Sequence, residues 1–370
     1  MPVVFLFIYI SLAIFLSIVL INALFGPFLR KKHPLSNLEP PLVSVLIPAR
    51  NEEHNISVCL DSLLQQDYPN YEILVLDDES SDQTAMIVEK YATAHTHIHL
   101  LKGKKLPDGW TGKNWACYQL AGEAKGDVFI FSDADNWYNK SAITRSIAWM
   151  NRYGLGMLSA FPQQLSITFF EKLIIPVIDL FLYGSLVLWL TYYSRFPSLS
   201  AANGQWIAIR REIYQKLGGH KAVRQEIVED VRLIRLAKKD QIRVMTLAGT
   251  GMVYGRMYNS ARGVWQGFTK NIFGLASNRT VPFFIIMAGM YFTYVLPYIL
   301  LFFQGLFFYS LLAVVLNLLL RFNLAIAFKH PVLISTFLHP ISIIVMSMIG
   351  INSFWQTRYG TIEWKGRSID

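Results

Sequence analysis

Two carboxylates spaced one residue apart follow a short apolar run near the middle of the 370-residue chain. The run Val128–Phe131 predicts a buried strand, and Asp133 and Asp135 come directly after it. Ligands of open α/β sheets bind beyond the carboxyl ends of the strands, and carboxylate oxygens suit Mg²⁺ or Mn²⁺. Because Mg²⁺ is usually held by one or two carboxylates together with substrate phosphates, the pair indicates a metal-bound diphosphate. The alternative is a turn in which both acids cap the next helix.

Acids also follow two other predicted strands. The run 42–47 predicts a strand whose exit loop carries Glu52, and the run 71–76 predicts a strand that is followed by Asp78. Predicted helices separate these strands from each other and from a third strand at 97–101. This alternation is typical of βαβ units with a parallel sheet. Because parallel strands end at the same edge of a sheet, the acids that follow them are expected to cluster there.

Two segments outside these strands carry further polar candidates. Residues 104–114 predict a glycine-containing loop that lies over a phosphate with Lys113 as a donor, or else an ordinary surface loop whose tryptophans cover the core. A helix is predicted to follow at 115–124. Residues 227–237 have helical spacing with Glu229 and Asp230 at the start, where acids also complement a helix dipole.

Apolar residues make up 53% of the chain and are concentrated in blocks. Residues 3–25 carry no charge and are long enough to span a bilayer; basic residues at 30–32 then place the following chain in the cytoplasm. A cleaved signal peptide would need a charged start and a small-residue cleavage site, which are not present. The uncharged residues 281–320 predict two spans with a break near Gln304, and 331–355 is a further apolar block. The basic carboxyl-terminal tail favours the inside, so one of these blocks is predicted to be re-entrant or a hairpin.

Two more segments are predicted to lie at the membrane surface. Residues 169–193 are apolar but contain Glu171 and Asp179, which favours an interfacial or re-entrant element; a true span is the alternative. Residues 255–275 are amphipathic, and membrane-surface packing is their simplest interpretation. The predicted organisation is an N-terminal transmembrane helix at 1–28, a cytoplasmic domain at 42–275, transmembrane or re-entrant helices at 281–355 and a basic tail at 356–370.

The charge and cysteine content favour a membrane protein of the cytoplasmic leaflet. The formal net charge of +9 suits an anionic lipid surface, whereas no basic stripe or recognition motif indicates nucleic-acid binding. The two cysteines have neither metal-ligand spacing nor a disulfide framework. We therefore expect a multi-pass protein of the cell membrane that does not bind nucleic acid.

The order and spacing of four motifs carry a resemblance to a known family. The chain resembles the family 2 inverting glycosyltransferases, whose GT-A domain is an α/β nucleotide-sugar-binding fold with a Rossmann-like mixed sheet, on Ile47-Pro-Ala-Arg-Asn-Glu-Glu53, Leu76-Asp-Asp78, Ser132-Asp-Ala-Asp135 and Glu229-Asp230. It is most similar to the bacterial carotenoid glycosyltransferases of the diaponeurosporenoate and chlorobactene types, on Gly109-Trp-Thr-Gly-Lys-Asn-Trp115, Gly218-Gly-His220, Arg256-Met-Tyr258 and the tail 358–367. Enzymes associated with hopanoid pathways share much of this pattern.

The resemblance implies a role for each matching position. Asp135 would coordinate Mg²⁺ or Mn²⁺, Asp230 would be the general base, and Glu229 would support it. Arg256 and Trp265 lie where related processive enzymes have an acceptor-side element that this sequence does not reproduce. The implied contacts with the nucleotide sugar are Pro48, Ala49, Asn51, Glu52, Asp78, Lys113 and Asp133.

The implied activity is membrane-bound transfer of a hexose, glucose by family default, from a UDP-sugar to a lipid. A carotenoid is the expected acceptor, and a hopanoid, polyprenyl phosphate or diacylglycerol is the alternative. If the acceptor is a carboxylic acid, it is ionised near pH 7 and a base matters less; a burial-raised pKa of Asp230 would favour a hydroxyl acceptor. A transporter or scaffold with a degenerate domain would lack the acids, all of which are present, and would carry charges in its clear spans 3–25 and 281–320, which have none.

Overall fold

The computed structural model describes residues 2–34, 39–275, 279–359, 362–364 and 367–369. The strands are β1 (Val43–Ala49), β2 (Tyr71–Asp77), β3 (Ile98–Lys102), β4 (Val128–Phe131), β5 (Asn136–Tyr138), β6 (Met157–Phe161), β7 (Gln163–Gln164), β8 (Ile207–Arg210), β9 (Val244–Ala248), β10 (Val253–Gly255), β11 (Ile362–Trp364) and β12 (Arg367–Ile369). The helices are α1 (Pro2–Phe25), α2 (Ile56–Leu64), α3 (Thr84–Ala94), α4 (Gly112–Glu123), α5 (Ala142–Tyr153), α6 (Phe169–Ser185), α7 (Leu190–Tyr193), α8 (Arg211–Lys216), α9 (Glu229–Lys239), α10 (Ala261–Leu275), α11 (Thr280–Tyr294), α12 (Leu296–Leu300), α13 (Phe307–Phe328), α14 (Val332–Phe337) and α15 (His339–Tyr359).

These elements form two units. The sheet unit comprises Gly26–Gln164 and Leu188–Gly255, and the helical unit comprises Met1–Phe25, Leu165–Val187 and Arg256–Asp370. The segment 255–275, predicted with the soluble domain, therefore contributes α10 to the helical unit.

Seven strands form the sheet of the sheet unit, in the order β3-β2-β1-β4-β8-β6-β9. The first four are parallel, as the βαβ alternation predicts, whereas β8 runs antiparallel to both β4 and β6. The sheet is thus mixed. Parallel strands covered by helices on both faces are buried on both faces, and every residue of β4 is buried. One set of buried side chains includes Val45 and Ile130, and a second set includes Leu46 and Phe129.

The parallel pairing brings three acid-bearing strand ends to one edge of this sheet. Residue Ala49 of β1 pairs with Asp77 of β2, and Leu46 of β1 pairs with Phe131 of β4. The loops that leave β1, β2 and β4 therefore emerge on the same side, as predicted.

A second, three-stranded sheet follows the acid pair. Its order is β5-β10-β7, with β10 antiparallel to β5 and parallel to β7. No alternating apolar pattern predicts these short strands, because each is only two or three residues long.

The helical unit contains the apolar blocks. Among the described residues, three stretches are long and apolar enough to cross a membrane: Val3–Phe25, Thr280–Leu300 and Gln304–Phe328. The helical break near Gln304 lies where the sequence predicts it, but the last stretch continues past Arg321. Arg321 is fully buried, and its Nε and Nη1 donate to the carbonyls of Ser335 and Pro176 at 2.9 and 3.2 Å.

Helix α6 belongs to this unit and packs against α1, α13, α14 and α15. It ends at Ser185, so the apolar segment 169–193 is divided between α6 and α7. Whether α6 lies at a membrane interface or spans it stays a prediction.

The predicted loop 104–114 ends earlier in the structure than the sequence indicates. The loop 104–114 was expected to carry Lys113, but α4 already begins at Gly112. Thr111 is the reason, because its side chain accepts a hydrogen bond from the backbone N–H of Asn114 and caps the helix. Lys113 therefore projects from the first turn of a helix.

Candidate active site

Lys113 joins two of the predicted site residues. Its Nζ lies 2.8 Å from Oδ1 of Asp133, which follows β4, and 3.3 Å from Oε1 of Glu229, which begins α9. A lysine in the first turn of a helix is disfavoured by the helix dipole, so the two carboxylates compensate its charge. The ion pairs thereby fix the starts of α4 and α9 against the end of β4.

Asp230 is held beside this cluster by backbone. Its Oδ2 accepts a hydrogen bond of 2.8 Å from the N–H of Gly204, and its Oδ1 accepts one of 2.7 Å from the N–H of Val231. A Cβ on Gly204 would lie 3.0 Å from Nζ of Lys113 and 3.3 Å from Oε1 of Glu229. A glycine at 204 therefore lets the backbone approach Asp230 without pushing Lys113 away.

The surroundings of Asp230 shift the pKa of its carboxyl far from the ordinary value for aspartate. Burial and the neighbouring charge of Glu229 raise the pKa of Asp230 to about 7, against the opposing effects of Lys113 and the two N–H donors. Burial disfavours the charge of Lys113, but Asp133 and Glu229 outweigh it and raise the pKa of Lys113 above its usual range. The cluster thus combines a fixed cation with a carboxyl that exchanges its proton near neutral pH.

Asn114, next to Lys113, ties α4 to the segment before α9. Its fully buried side chain donates from Nδ2 to the carbonyls of Val223 and Glu226, both at 2.9 Å. The N–H of Thr111 donates to the carbonyl of Arg224 at 2.9 Å. These hydrogen bonds hold the start of α4, which carries Lys113, against the segment that leads to Glu229.

Asp133 and Asp135 are the two partly exposed acids of the segment that leaves β4. Burial alternates from 132 to 138: the even-numbered residues are buried and the odd-numbered ones are partly exposed. Burial raises the pKa of the Cys59 thiol, and the negative charges of three carboxylates raise it further: Asp133, Asp135 and Glu52. These three carboxylates therefore share one neighbourhood.

The donor set of this neighbourhood suits a hard divalent ion. Among the described residues, no group of three His, Cys, Asp or Glu side chains is arranged to hold a metal. Two carboxylates such as Asp133 and Asp135, completed by phosphate oxygens and water, are nevertheless the usual Mg²⁺ arrangement in nucleotide sites. The residues present fit such an ion when a diphosphate brings the remaining ligands.

The exit loops of β1 and β2 are joined to each other. Asn51 has a left-handed backbone (φ 54°), and its Oδ1 accepts a hydrogen bond of 2.8 Å from the N–H of Ser81. The N–H of Glu52 donates to Oγ1 of Thr84 at 2.8 Å. The loop after Pro48 and Ala49 is thus fixed on the loop after β2.

Asp78 lies in the second of these loops and is only 6% exposed. The backbone N–H of Asp78 donates to the carbonyl of Ala49 at 2.8 Å. The backbone carbonyl of Asp78 accepts a hydrogen bond of 2.8 Å from Nη1 of Arg50. This arrangement keeps the Asp78 carboxylate at the shared edge of the sheet.

The two acceptor-side candidates lie in the helical unit. Arg256 pairs with the fully buried Glu171, with Nη2 to Oε1 at 3.1 Å, and Glu171 also accepts a hydrogen bond of 2.7 Å from Thr168 Oγ1. These contacts lower the pKa of Glu171 despite its burial. Trp265 is partly exposed on α10. Arg256 thus has a structural partner within its own unit.

The chain is similar to known glycosyltransferases. Residues 44–218 match the Glycosyl transferase family 2 model. The chain is 28% identical over 350 residues to the 4,4'-diaponeurosporenoate glycosyltransferase of Staphylococcus aureus (strain MRSA252), covering 90% of this chain and 89% of the relative. The same enzyme from strain USA300 is 27% identical over 353 residues, with the same coverage.

A solved structure shows the same fold over nearly the whole chain. The mannosyltransferase PcManGT from Pyrobaculum calidifontis, in complex with GDP-Man and Mn²⁺, superposes with a TM-score of 0.55 at 17% identity, covering 96% of this chain and 99% of PcManGT. Residues 44–218 therefore form a Glycosyl transferase family 2 domain, and the likeness to the solved structure together with the mixed sheet shows a GT-A-like fold.

Proposed function

We propose that this enzyme is a membrane-bound inverting glycosyltransferase that moves a hexose from a UDP-sugar to a lipid, with a carotenoid as the expected acceptor. The observation that carries the proposal is the position of Asp230. Its carboxyl is held by the N–H of Gly204, beside a lysine that binds the first acid of the Asp133–Asp135 pair. These contacts support a proposed proton acceptor next to the proposed diphosphate site.

The donor would be held by the edge of the sheet. The residues proposed to contact the uridine lie at the end of β1 and on the joined loops after β1 and β2: Pro48, Ala49, Asn51, Glu52 and Asp78. Asp133 and Lys113 would contact the sugar and diphosphate, since Lys113 lies 2.8 Å from Asp133 and can exchange one anionic partner for another.

Mg²⁺ or Mn²⁺ bound by Asp135, with Asp133 nearby, would stabilise the negative charge on the departing diphosphate. The relative PcManGT was solved with Mn²⁺ and a nucleotide sugar, which supports a divalent ion in this fold.

Asp230 is proposed to act as the general base. The acceptor oxygen forms a bond to the anomeric carbon, the acceptor proton moves to Asp230, and the bonding electrons of the donor leave with UDP. A single displacement inverts the configuration and needs no second carboxylate as nucleophile. Glu229 supports the reaction by raising the pKa of Asp230 and by holding Lys113.

A lipid acceptor is supported by the helical unit and by one relative. Three stretches of the described residues are apolar enough to cross a membrane, and a similar chain is named 4,4'-diaponeurosporenoate glycosyltransferase. A hopanoid, polyprenyl phosphate or diacylglycerol is the alternative acceptor. We further propose that the sheet unit faces the cytoplasm, because basic residues follow the first span, and that Arg256 and Trp265 line the acceptor side.

The test is mass analysis of lipids from a carotenoid-producing host with and without the protein. A carotenoid heavier by one hexose in the presence of the wild type supports the proposal. Asp230→Asn should abolish this product, whereas the control Asp240→Asn, at the other end of α9, should not. A hexosylated hopanoid, diacylglycerol or polyprenyl phosphate would instead replace the carotenoid as acceptor, and no hexosylated lipid at all would refute the proposed activity.

A further inference from the structure

The partly exposed residues of the segment after β4 continue beyond the two acids. Because residues 132–138 alternate in burial, the partly exposed row is Asp133, Asp135 and Trp137. The residues between and around them are buried: Ser132, Ala134, Asn136 and Tyr138. The next partly exposed residue after the two acids is therefore the aromatic Trp137.

Tyr254 of the neighbouring strand completes this aromatic surface. It is the cross-strand partner of Trp137, and the two rings lie nearly parallel, with centroids 6.0 Å apart and an angle of 11° between the planes. Tyr254 is also partly exposed, whereas Val253 and Gly255 on either side of it are buried. We call these two side chains the aromatic wall.

The aromatic wall has a rigid support beneath it. Asn136 and Gln205 exchange two hydrogen bonds of 3.0 Å, and Gln164 donates to Oε1 of Gln205 at 2.9 Å. A Cβ on Gly255 would lie 2.7 Å from Oδ1 of Asn136, so β10 can approach this network only with glycine at 255. The small sheet is thereby fixed to the segment that begins β8.

This support connects the aromatic wall to both halves of the site. Gln205 directly follows Gly204, whose N–H holds Asp230, and Trp137 lies two residues after Asp135. In the proposed function, an attacking acceptor must lie between Asp230 and the leaving group at the acid pair. The aromatic wall is thus joined to the Asp230 side through Asn136 and Gln205 and to the acid pair through the chain at Trp137.

We propose that Trp137 and Tyr254 bind the lipid acceptor next to its reacting end and select a flat, unsaturated chain. The inference rests on the proposed function, since it takes Asp230 as the base and the acid pair as the leaving-group site. The outer face of a stacked pair of aromatic rings is flat and apolar and suits a conjugated chain, which a saturated chain matches less well.

The experiment measures binding and transfer separately in detergent micelles. Binding of a hydroxylated carotenoid is followed by its absorption spectrum, and binding of UDP-glucose with Mn²⁺ by calorimetry. We expect Trp137→Ala to weaken carotenoid binding and to raise the KM for the carotenoid about tenfold, with UDP-glucose affinity unchanged. Trp137→Phe should restore most of the loss. A saturated isoprenoid alcohol should bind wild type and W137A alike.

Tyr118→Ala is the matched control, because Tyr118 is an exposed aromatic residue of the same unit that stacks on Trp115 at 20°. It should leave both affinities unchanged. If W137A weakens UDP-glucose binding instead, the aromatic wall belongs to the donor sugar and the inference is overturned, as it is if carotenoid binding does not change. Absence of any hexose transfer by the wild type would refute the proposed function alone, and the binding data would still decide the role of the wall.

Discussion

Asp230 should give hexose transfer a pH dependence that an ordinary aspartate would not produce. Burial and Glu229 raise its pKa from 3.8 to about 7. A base with this pKa is ionised in about 9% of molecules at pH 6 and about 91% at pH 8, so the rate at saturating donor should rise about tenfold between them. With a pKa of 3.8, it would be almost fully ionised at both pH values and the rate would be flat.

Glu229→Gln tests the cause of this dependence. Removing the Glu229 charge removes one of the two influences that raise the pKa of Asp230, so the midpoint of the pH profile should move to lower pH. The assay is transfer from labelled UDP-glucose between pH 5.5 and 9 at constant ionic strength. Glu226→Gln is the control, because Glu226 pairs with Arg232 at the surface. A flat wild-type profile, or E229Q and wild-type profiles that superimpose, would refute the reasoning.

Three further variants test other parts of the site. Asp135→Ala should lower transfer at least about a hundredfold, and added Mn²⁺ should not restore it, as measured by Mn²⁺ titration of the rate. Gly204→Ala places a methyl group 3.0 Å from Nζ of Lys113, so kcat should fall while the circular dichroism spectrum stays unchanged. Asn114→Ala leaves buried carbonyls without their donor, so the free energy of unfolding should fall by about 1–3 kcal/mol, seen as a lower melting temperature in detergent.

The sequence was sufficient for the parts of the fold that local patterns encode. The apolar runs of β1, β2 and β4 and the helices between them predict a parallel core, and parallel pairing then brings the acids after these strands to one edge. The start of α9 was predictable for a similar reason, since Glu229 and Asp230 precede a run with helical spacing. Each of these inferences depends on residues close in sequence.

The rest of the site depends on contacts between distant residues. The hydrogen bond between Gly204 and Asp230 joins residues that are 26 positions apart in the sequence. The hydrogen bond between Asn114 and Glu226 joins residues that are 112 positions apart. The run around Gly204 has neither strand alternation nor helical spacing, so no local signal marks it. The antiparallel position of β8 and the three short strands beside Asp135 are likewise set by pairing partners, which a single sequence does not identify.

The raised pKa of Asp230 also bears on the acceptor. A carboxyl whose pKa is higher in the folded than in the unfolded protein binds its proton more tightly when folded, so stability falls as the pH rises from about 4 to about 7. A carboxylate or phosphate acceptor is already ionised near pH 7 and makes no use of such a group, whereas a hydroxyl needs a base whose pKa lies near the working pH. The environment of Asp230 therefore supports a hydroxyl acceptor. Among the proposed lipids, a hydroxylated carotenoid, a hopanoid or diacylglycerol meets this condition, and a polyprenyl phosphate or a carotenoid acid does not.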